Sequence, residues 1–507
     1  MKYEPVIGLE IHAELRTKTK MFCFSANDPD EKHPNINICP VCMGHPGTLP
    51  VINESAVKKT IAVGLTLEGA INRFSQFDRK NYFYPDLPKG YQISQYQHPL
   101  VSGGFLDLQI SNQNKRDNQI SNSNDQNTAR RIRITRVHLE EDTGRLIHDK
   151  KSGETLVDFN RAGIPLMELV TEPDFRTGEE VREFGESLQR ILRYVGASNA
   201  DMEKGEMRVE VNISLRPEGS EKFGTKVEVK NINSFKFAAD AVDYEIKRQT
   251  EALERGEKII QETRGWNEDK KMTVSQRSKE EAHDYRYFPE PDLPPMKFSD
   301  DYIEKILAGI PELPRPKKTR FMKEYGMSAA SADIMTRDKA FADYFEEVAS
   351  ELLAEDKETP EKPKKNLIEL AVSFFTGEFM RLINEKGGST AEIKITPENF
   401  GEILIYVAED KISTLAAKDV LAEMFRTGDD PSDIIDRLGL WQLSDTNDLE
   451  DIASHIITEN PKAVEDYKKG KDASLQFLVG QVMKESRGKA NPKVVGDIIR
   501  RILSSTE

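Results

Sequence analysis

The first fifteen residues, Met1-Lys2-Tyr3-Glu4-Pro5-Val6-Ile7-Gly8-Leu9-Glu10-Ile11-His12-Ala13-Glu14-Leu15, decide how the remainder of the chain is read. From Ile7 to Leu15 the sequence alternates without a break: Ile7, Leu9, Ile11, Ala13 and Leu15 share one face, and Gly8, Glu10, His12 and Glu14 share the other. A period of two marks a β-strand with one face buried. An exposed edge strand carrying Glu and His for solubility has the same pattern. Recurrence separates the two readings. Met207, Val209, Val211, Ile213 and Leu215 oppose Arg208, Glu210, Asn212 and Ser214, while Val227 and Val229 oppose Lys226, Glu228 and Lys230. Three strands whose polar faces mix acids and bases predict an α+β domain. Its largely antiparallel sheet has an apolar back and a charged front suited to metal and phosphate.

Further acids belong with that front. The segment Val137-His138-Leu139-Glu140-Glu141-Asp142-Thr143-Gly144 ends a strand in three consecutive acids, whose mutual repulsion a divalent cation would relieve. Strict alternation places Glu141 on the face of Val137 and Leu139, which leaves two options. Either Glu140 faces the cleft or a bulge at the strand end turns Glu141 toward it. Glu168 interrupts the apolar run Ile164-Pro165-Leu166-Met167-Glu168-Leu169-Val170 and is costly to bury without a partner. Lys80, Arg208, Lys226 and Lys230 are the cations available to hold phosphate.

Composition sets the outer limits. At 507 residues, 37% hydrophobic and 31% charged, the chain is globular and long enough for roughly three domains of ~150 residues. No apolar run approaches the ~20 residues of a membrane span, and Met1 to Val6 lacks the layout of a signal peptide, so a cytoplasmic protein is expected. A net charge of −15 argues against general electrostatic binding of nucleic acid and confines such contact to local basic patches. Three cysteines do not make a disulfide framework in a chain of this length. Cys39-Pro40-Val41-Cys42 on a Pro/Gly turn, preceded by Cys23, has zinc-knuckle spacing, with His45 continuing it as Cys-x-x-Cys-x-x-His and His33 in the intervening loop. Three reduced thiols packed as small hydrophobes is the plainer alternative.

Between these motifs the chain reads as follows. Val51 to Ala70 is helical in pattern, and Gly64-x4-Gly69 mimics half of a phosphate loop, but Ala70 and Ile71 stand where Lys and Ser or Thr are required. Phe77 to Asp86 and Gly90 to Gln95 mix aromatics, amides and cations, which suits base stacking and phosphate contact as well as a tyrosine-rich core edge. Ser111 to Thr128 is a low-complexity Asn/Gln/Ser insertion at a hairpin tip. Four prolines between Phe288 and Pro295 predict a stiff linker that closes the catalytic cradle at residue 292. A helical domain, 293–394, is expected next, interrupted by the charged loop Glu355 to Lys365. Thr396-Pro397 then caps the first helix of a small tail domain, 395–507. Near its end six basic residues, Lys484, Arg487, Lys489, Lys493, Arg500 and Arg501, face two acids, Glu485 and Asp497. That patch fits nucleic-acid contact or an ordinary solvated helical face.

Gly8-Leu9-Glu10-Ile11-His12, Phe77 to Asp86, His138 to Asp142, Phe223 to Asn231, Glu262-Thr263-Arg264 and Asp284 to Asp292 occur in family order, and the chain resembles the GatB family over essentially its whole length. This family comprises the B subunits of aspartyl/glutamyl-tRNA amidotransferases. The resemblance implies a heterotrimer in which a glutaminase, the A subunit, releases ammonia from glutamine, and a small C subunit forms the bridge. The B subunit uses ATP and magnesium to phosphorylate the side-chain carboxylate of misacylated Glu-tRNA(Gln) or Asp-tRNA(Asn) before ammonia displaces the phosphate. The resemblance maps a first magnesium site onto His12, Glu141 and Glu168, a second onto Glu10, Glu210 and Glu228, and catalysis onto Glu10, His12, Glu141 and Glu168. The available cations Lys80, Arg208, Lys226 and Lys230 are then expected at the ATP phosphates, and the tail resembles a tRNA-gripping domain, with Lys484, Arg487, Lys489 and Arg500 expected on the tRNA body. Zinc-containing members carry Cys-x-Cys where this chain has Cys23-Phe24-Ser25, which leaves His45 as the expected fourth ligand. A non-catalytic tRNA-binding scaffold is the rival reading. A self-sufficient ligase is disfavoured because no cysteine is left for a glutaminase and no phosphate loop is present.

Overall fold

The computed structural model describes residues 2–109, 129–149, 151–278, 285–358, 366–386, 393–442, 446–486 and 489–504. The insertion at 111–128, the loop at 359–365 and Arg487 lie outside the described residues. The chain forms two compact units, Met1–Leu313 and Pro314–Glu507.

The first unit is built on a sheet of ten strands among the described residues: β1 (Tyr3–Glu14), β2 (Ala70–Ile71), β3 (Val101–Ser102), β4 (Phe105–Gln109), β5 (Ala129–Glu141), β6 (Pro165–Thr171), β7 (Met207–Pro217), β8 (Val227–Lys230), β9 (Glu262–Asn267) and β10 (Met272–Ser278). Their order is β10-β9-β8-β7-β1-β6-β5-β3-β2, with β4 also paired to β5. All pairs are antiparallel except β8 with β9. The opening strand is therefore central, not an edge. Its apolar side, Ile7, Leu9, Ile11 and Ala13, joins Val209, Val211, Val137 and Leu169 in one core. Each such burial contributes about 1.5–3 kcal/mol. Helices α2 (Gly178–Tyr194) and α3 (Phe235–Glu254) pack on each other and on this core, so the opposite face of the sheet is left for chemistry. Local sequence starts both helices. The Thr177 hydroxyl accepts from the Glu180 amide while the Glu180 carboxylate accepts from that of Thr177, and Ser234 accepts from Phe237.

Helix α1 (Glu54–Thr66) is shorter than its apolar pattern, and Asn53 caps it. Gly64 in its last turns and Gly69 just beyond it serve packing: a Cβ on either would meet a Val101 methyl at 2.5 Å, so the helix end lies against β3 at a distance only glycine permits. The proline-rich segment is not a linker. Phe288–Pro289 pairs with Asp78–Asn81, which also pairs with Tyr91–Ser94, and Met296–Lys297 pairs with Phe74–Ser75. Leu293 and the partly buried Phe298, Tyr302 and Ile306 then join the sheet core, so the unit runs on to Leu313 and not 292.

The second unit is helical among its described residues and has two cores. One spans Phe321 to Ile435 and the other Leu449 to Leu503. Thr396 caps Pro397–Ala408 as its sequence foretells, but the expected boundary at 394/395 cuts through the first core. Phe400 lies with its ring 4.7 Å from Phe375 and 5.0 Å from Phe379. A capping signal marks where a helix begins and carries no information on what it packs against. Among the described residues no helix is long and apolar enough to cross a membrane.

Candidate metal and phosphate site

Strand register builds the site. Arg208, His12, Glu168 and His138 stand directly opposite one another on β7, β1, β6 and β5, forming one row across four strands. Alternation adds Arg136 and Glu140 on the same side of β5. The His12 Nε2 lies 3.3 Å from Glu168 and 3.9 Å from Glu140. On the other side, the His138 Nε2 lies 3.4 Å from Glu168 and 3.9 Å from Glu140. Ser94 Oγ donates to Glu140 at 3.1 Å, and Arg136 approaches Glu168 at 3.8 Å. One donor atom from each of His12, Glu140 and Glu168 falls within 4.8 Å of the others.

The charges support one another. Burial would raise Glu168, but His138, His12 and Lys80 outweigh it and hold the carboxyl well below its usual range. Glu140 is lowered in the same way, burial being overcome by His138 and Lys80. Burial likewise would lower His12 and Lys80, yet contact with Glu168 holds His12 above its ordinary value, and Glu140 chief among the neighbouring groups does so for Lys80.

Glu141 is not part of this cluster, contrary to the family mapping. The ladder between β5 and β6 runs Leu139 to Met167, Glu140 to Leu166 and Glu141 to Pro165 without a bulge, so alternation holds and Glu140 takes the place in the cleft. Glu141, 2% exposed, points away and accepts from Lys89 Nζ at 2.6 Å and from the Ile93 amide at 2.9 Å. There it borders a cavity of about 100 Å³ shared with Cys23, Cys42, His45 and Lys89.

The second acidic cluster forms as expected, with Glu10, Glu210 and Glu228 within 4.8 Å of one another. Lys230 Nζ lies 2.8 Å from Glu210 and 3.8 Å from Glu228, while Asn212 donates to Glu10 and Thr263 to Glu228. Both clusters open on a cleft of about 590 Å³ that Lys80, Arg208 and Lys230 also line. Lys226 does not line it; β8 starts at Val227, and Lys226 is exposed before the strand. Arg208 is paired with Asp142. Four tyrosines complete the rim: Tyr96 and Tyr287 stack at 4.3 Å, and Lys80 lies 5.1 Å from the Tyr285 ring centroid and 5.8 Å from that of Tyr82. Sequence reasoning passed over Arg136 and His138, although the period of two that found the other strands runs through Arg136, His138 and Glu140.

The three cysteine sulfurs gather within 4.8 Å, but His45 is not in the group. Gly44 takes φ +68° and turns the chain before His45, which is exposed. The neighbours of Cys42 are Lys20 Nζ at 3.8 Å and Ser25 Oγ at 3.9 Å, with Lys20 fully buried. Cys42 is held at about 4 by a hydrogen bond from Cys23, with the Lys20 ammonium adding to it, and Cys23 is pushed up in turn. Among the described residues the set is one ligand short of the closed tetrahedron that structural zinc requires. In the second unit Lys484 and Arg500 are exposed, Arg500 being paired with Asp497 at 2.9 Å, and Lys489 is half-buried.

Residues 5–304 match the GatB/GatE catalytic domain and residues 343–503 the GatB domain. The chain is 48% identical over 506 residues to the aspartyl/glutamyl-tRNA(Asn/Gln) amidotransferase B subunit of Caldicellulosiruptor saccharolyticus, with 99% of each chain covered. It is 47% identical over 507 residues to the protein of the same name in Dehalococcoides mccartyi, again with 99% of each covered. The match runs the whole length of both regions just described. The chain belongs to the family of aspartyl/glutamyl-tRNA(Asn/Gln) amidotransferase B subunits.

Proposed function

We propose that this chain phosphorylates the side-chain carboxylate of misacylated Glu-tRNA(Gln) or Asp-tRNA(Asn) with ATP and amidates the product. The observation that carries the reading is the His12, Glu140 and Glu168 cluster at the floor of a cleft lined by Lys80, Arg208 and Lys230. One imidazole and two carboxylates at this spacing fit a divalent cation such as Mg²⁺. When bound, it would screen the γ-phosphate from the substrate carboxylate. The chain's own groups do the remaining work. Lys80 and Lys230 stay charged near the phosphates, and the buried guanidinium Nε atoms of Arg136 and Arg208, without partners among the described residues, retain donors for an anion. Tyr82, Tyr96, Tyr285 and Tyr287 offer ring faces to a base.

In the first step the carboxylate oxygen bonds to the γ-phosphorus as the bond to the bridging oxygen breaks, releasing ADP. Ammonia then attacks the acyl carbon and inorganic phosphate leaves. All three cysteines lie together away from the cleft, so ammonia is assigned to a glutaminase partner, the A subunit, with a small C subunit as the bridge, and the tRNA body to Lys484, Arg487, Lys489 and Arg500. The test is turnover of misacylated tRNA and ATP by the full heterotrimer. ADP release should require misacylated tRNA and be lost in Glu168→Gln. A variant that still releases ADP at the wild-type rate would leave this chain a tRNA-binding scaffold.

A further inference from the structure

His138 lies at the same cluster but has no part in that reading. It is 3% exposed and stands directly opposite Glu168, on the far side of that carboxylate from His12. Its Nε2 faces Glu168 at 3.4 Å and the second oxygen of Glu140 at 3.9 Å, while its Nδ1 is buried with no hydrogen-bond partner among the described residues. These facts decide the tautomer. A proton on Nδ1 would orphan a buried N–H and turn the Nε2 lone pair on two carboxylates, both of them costly. A proton on Nε2 has Glu168 at 3.4 Å and Glu140 at 3.9 Å beside it and leaves unpaired only an acceptor.

We propose that His138 is a positioning residue whose Nε2–H holds Glu168, and with it Glu140, in the orientation in which they and His12 take a divalent cation. The proposal rests on the cation reading above. The two imidazoles stand at similar distances from Glu168 and Glu140, but the His12 side chain is 15% exposed to the cleft and groups with the carboxylate donors, whereas His138 is 3% exposed, so His138 is given the supporting task. Glu140 has a second anchor in Ser94. Among the described residues Glu168 has besides its imidazoles only Arg136 as an ion-pair partner, at 3.8 Å, and so depends more on His138. Outer partners of metal-binding carboxylates typically change metal affinity about 10- to 100-fold.

The experiment titrates the full-length chain in its heterotrimer with Mn²⁺, counting free ion by electron paramagnetic resonance. His138→Leu should weaken binding about 10- to 100-fold, and His138→Gln, which keeps an N–H donor, should stay within about threefold of wild type. His138→Asn, whose amide is too short to reach, should behave like leucine; the contrast between Gln and Asn decides the matter even if the leucine variant does not fold. The KM for magnesium-ATP should rise more than kcat falls. Pulsed spectra of bound Mn²⁺ should show one directly bound imidazole nitrogen in wild type and in His138→Gln alike. Equal affinity in Leu, Asn and wild type overturns the proposal, and so does a nitrogen coupling lost in His138→Gln, which would make His138 a ligand. If wild type and Glu168→Gln take up Mn²⁺ alike, the cation reading itself falls.

Discussion

Two carboxylate clusters share one face of one sheet, and they differ in the cation already among them. In the inner one, Glu140 and Glu168 lie against the imidazoles of His12 and His138, and His12 can offer a ring nitrogen to a metal. In the outer one, Glu10, Glu210 and Glu228 contain the ammonium of Lys230, which burial would lower but Glu210 chiefly holds above its ordinary value. Equal donor spacing therefore does not mean equal metal affinity. A lysine balances the charge and offers no ligand, so an incoming ion must displace it.

The harshest way to break the comparison is to disable the inner cluster. Glu168→Gln should weaken Mn²⁺ binding at least about 100-fold and lower tRNA-dependent ADP release by two orders of magnitude or more, read by spin counting and by nucleotide analysis. A loss no greater than that of Glu228→Gln would make the clusters equivalent. Removing the cation from the outer cluster sharpens the same contrast from the other side. Lys230→Gln should tighten binding there by about tenfold, so that a second ion appears at concentrations where wild type binds one. Unchanged stoichiometry would show that Lys230 is not what separates them.

Neighbouring residues on β5 supply a finer test. Glu140→Gln should weaken inner binding about tenfold, while Glu141→Gln should leave it within about twofold and instead cost about 1–3 kcal/mol of stability, because one amide oxygen replaces the two carboxylate oxygens that accept separately from Lys89 and the Ile93 amide. Denaturant unfolding and Mn²⁺ titration of the pair distinguish the two faces. The smallest effect concerns Glu14, on the same face of β1, which burial and then the charge of Asp142 push up from 4.5 to about 8. Its protonated form is favoured in the fold, so the stability it contributes is present below about pH 4.5 and is lost as pH rises through about 8. Glu14→Gln should flatten that fall, seen as a Tm gap of a few degrees that closes toward acid pH.

Much of this was legible because it is local. Alternation along β1, β7 and β8 sorts core from cleft, Thr177 and Thr396 announce their helices, and Glu168 in an apolar run announces a partner. Alternation left open whether Glu140 faces the cleft or a bulge turns Glu141 toward it, and the family mapping drew the choice to Glu141. His45 looked like a ligand because spacing along a chain ignores the left-handed turn at Gly44. The prolines after Phe288 looked like a linker because nothing near them in sequence shows that Asp78–Asn81 and Phe74–Ser75 will pair with their neighbours.

The sequence by itself determined which side chains share a face, since the period of a strand is set by the backbone of that strand alone. Only the tertiary structure decided which of them meet. His12 faces Glu168 and Glu168 faces His138 through the register of strands that begin at Tyr3, Pro165 and Ala129, and register is fixed by pairing and core packing between segments far apart in the chain.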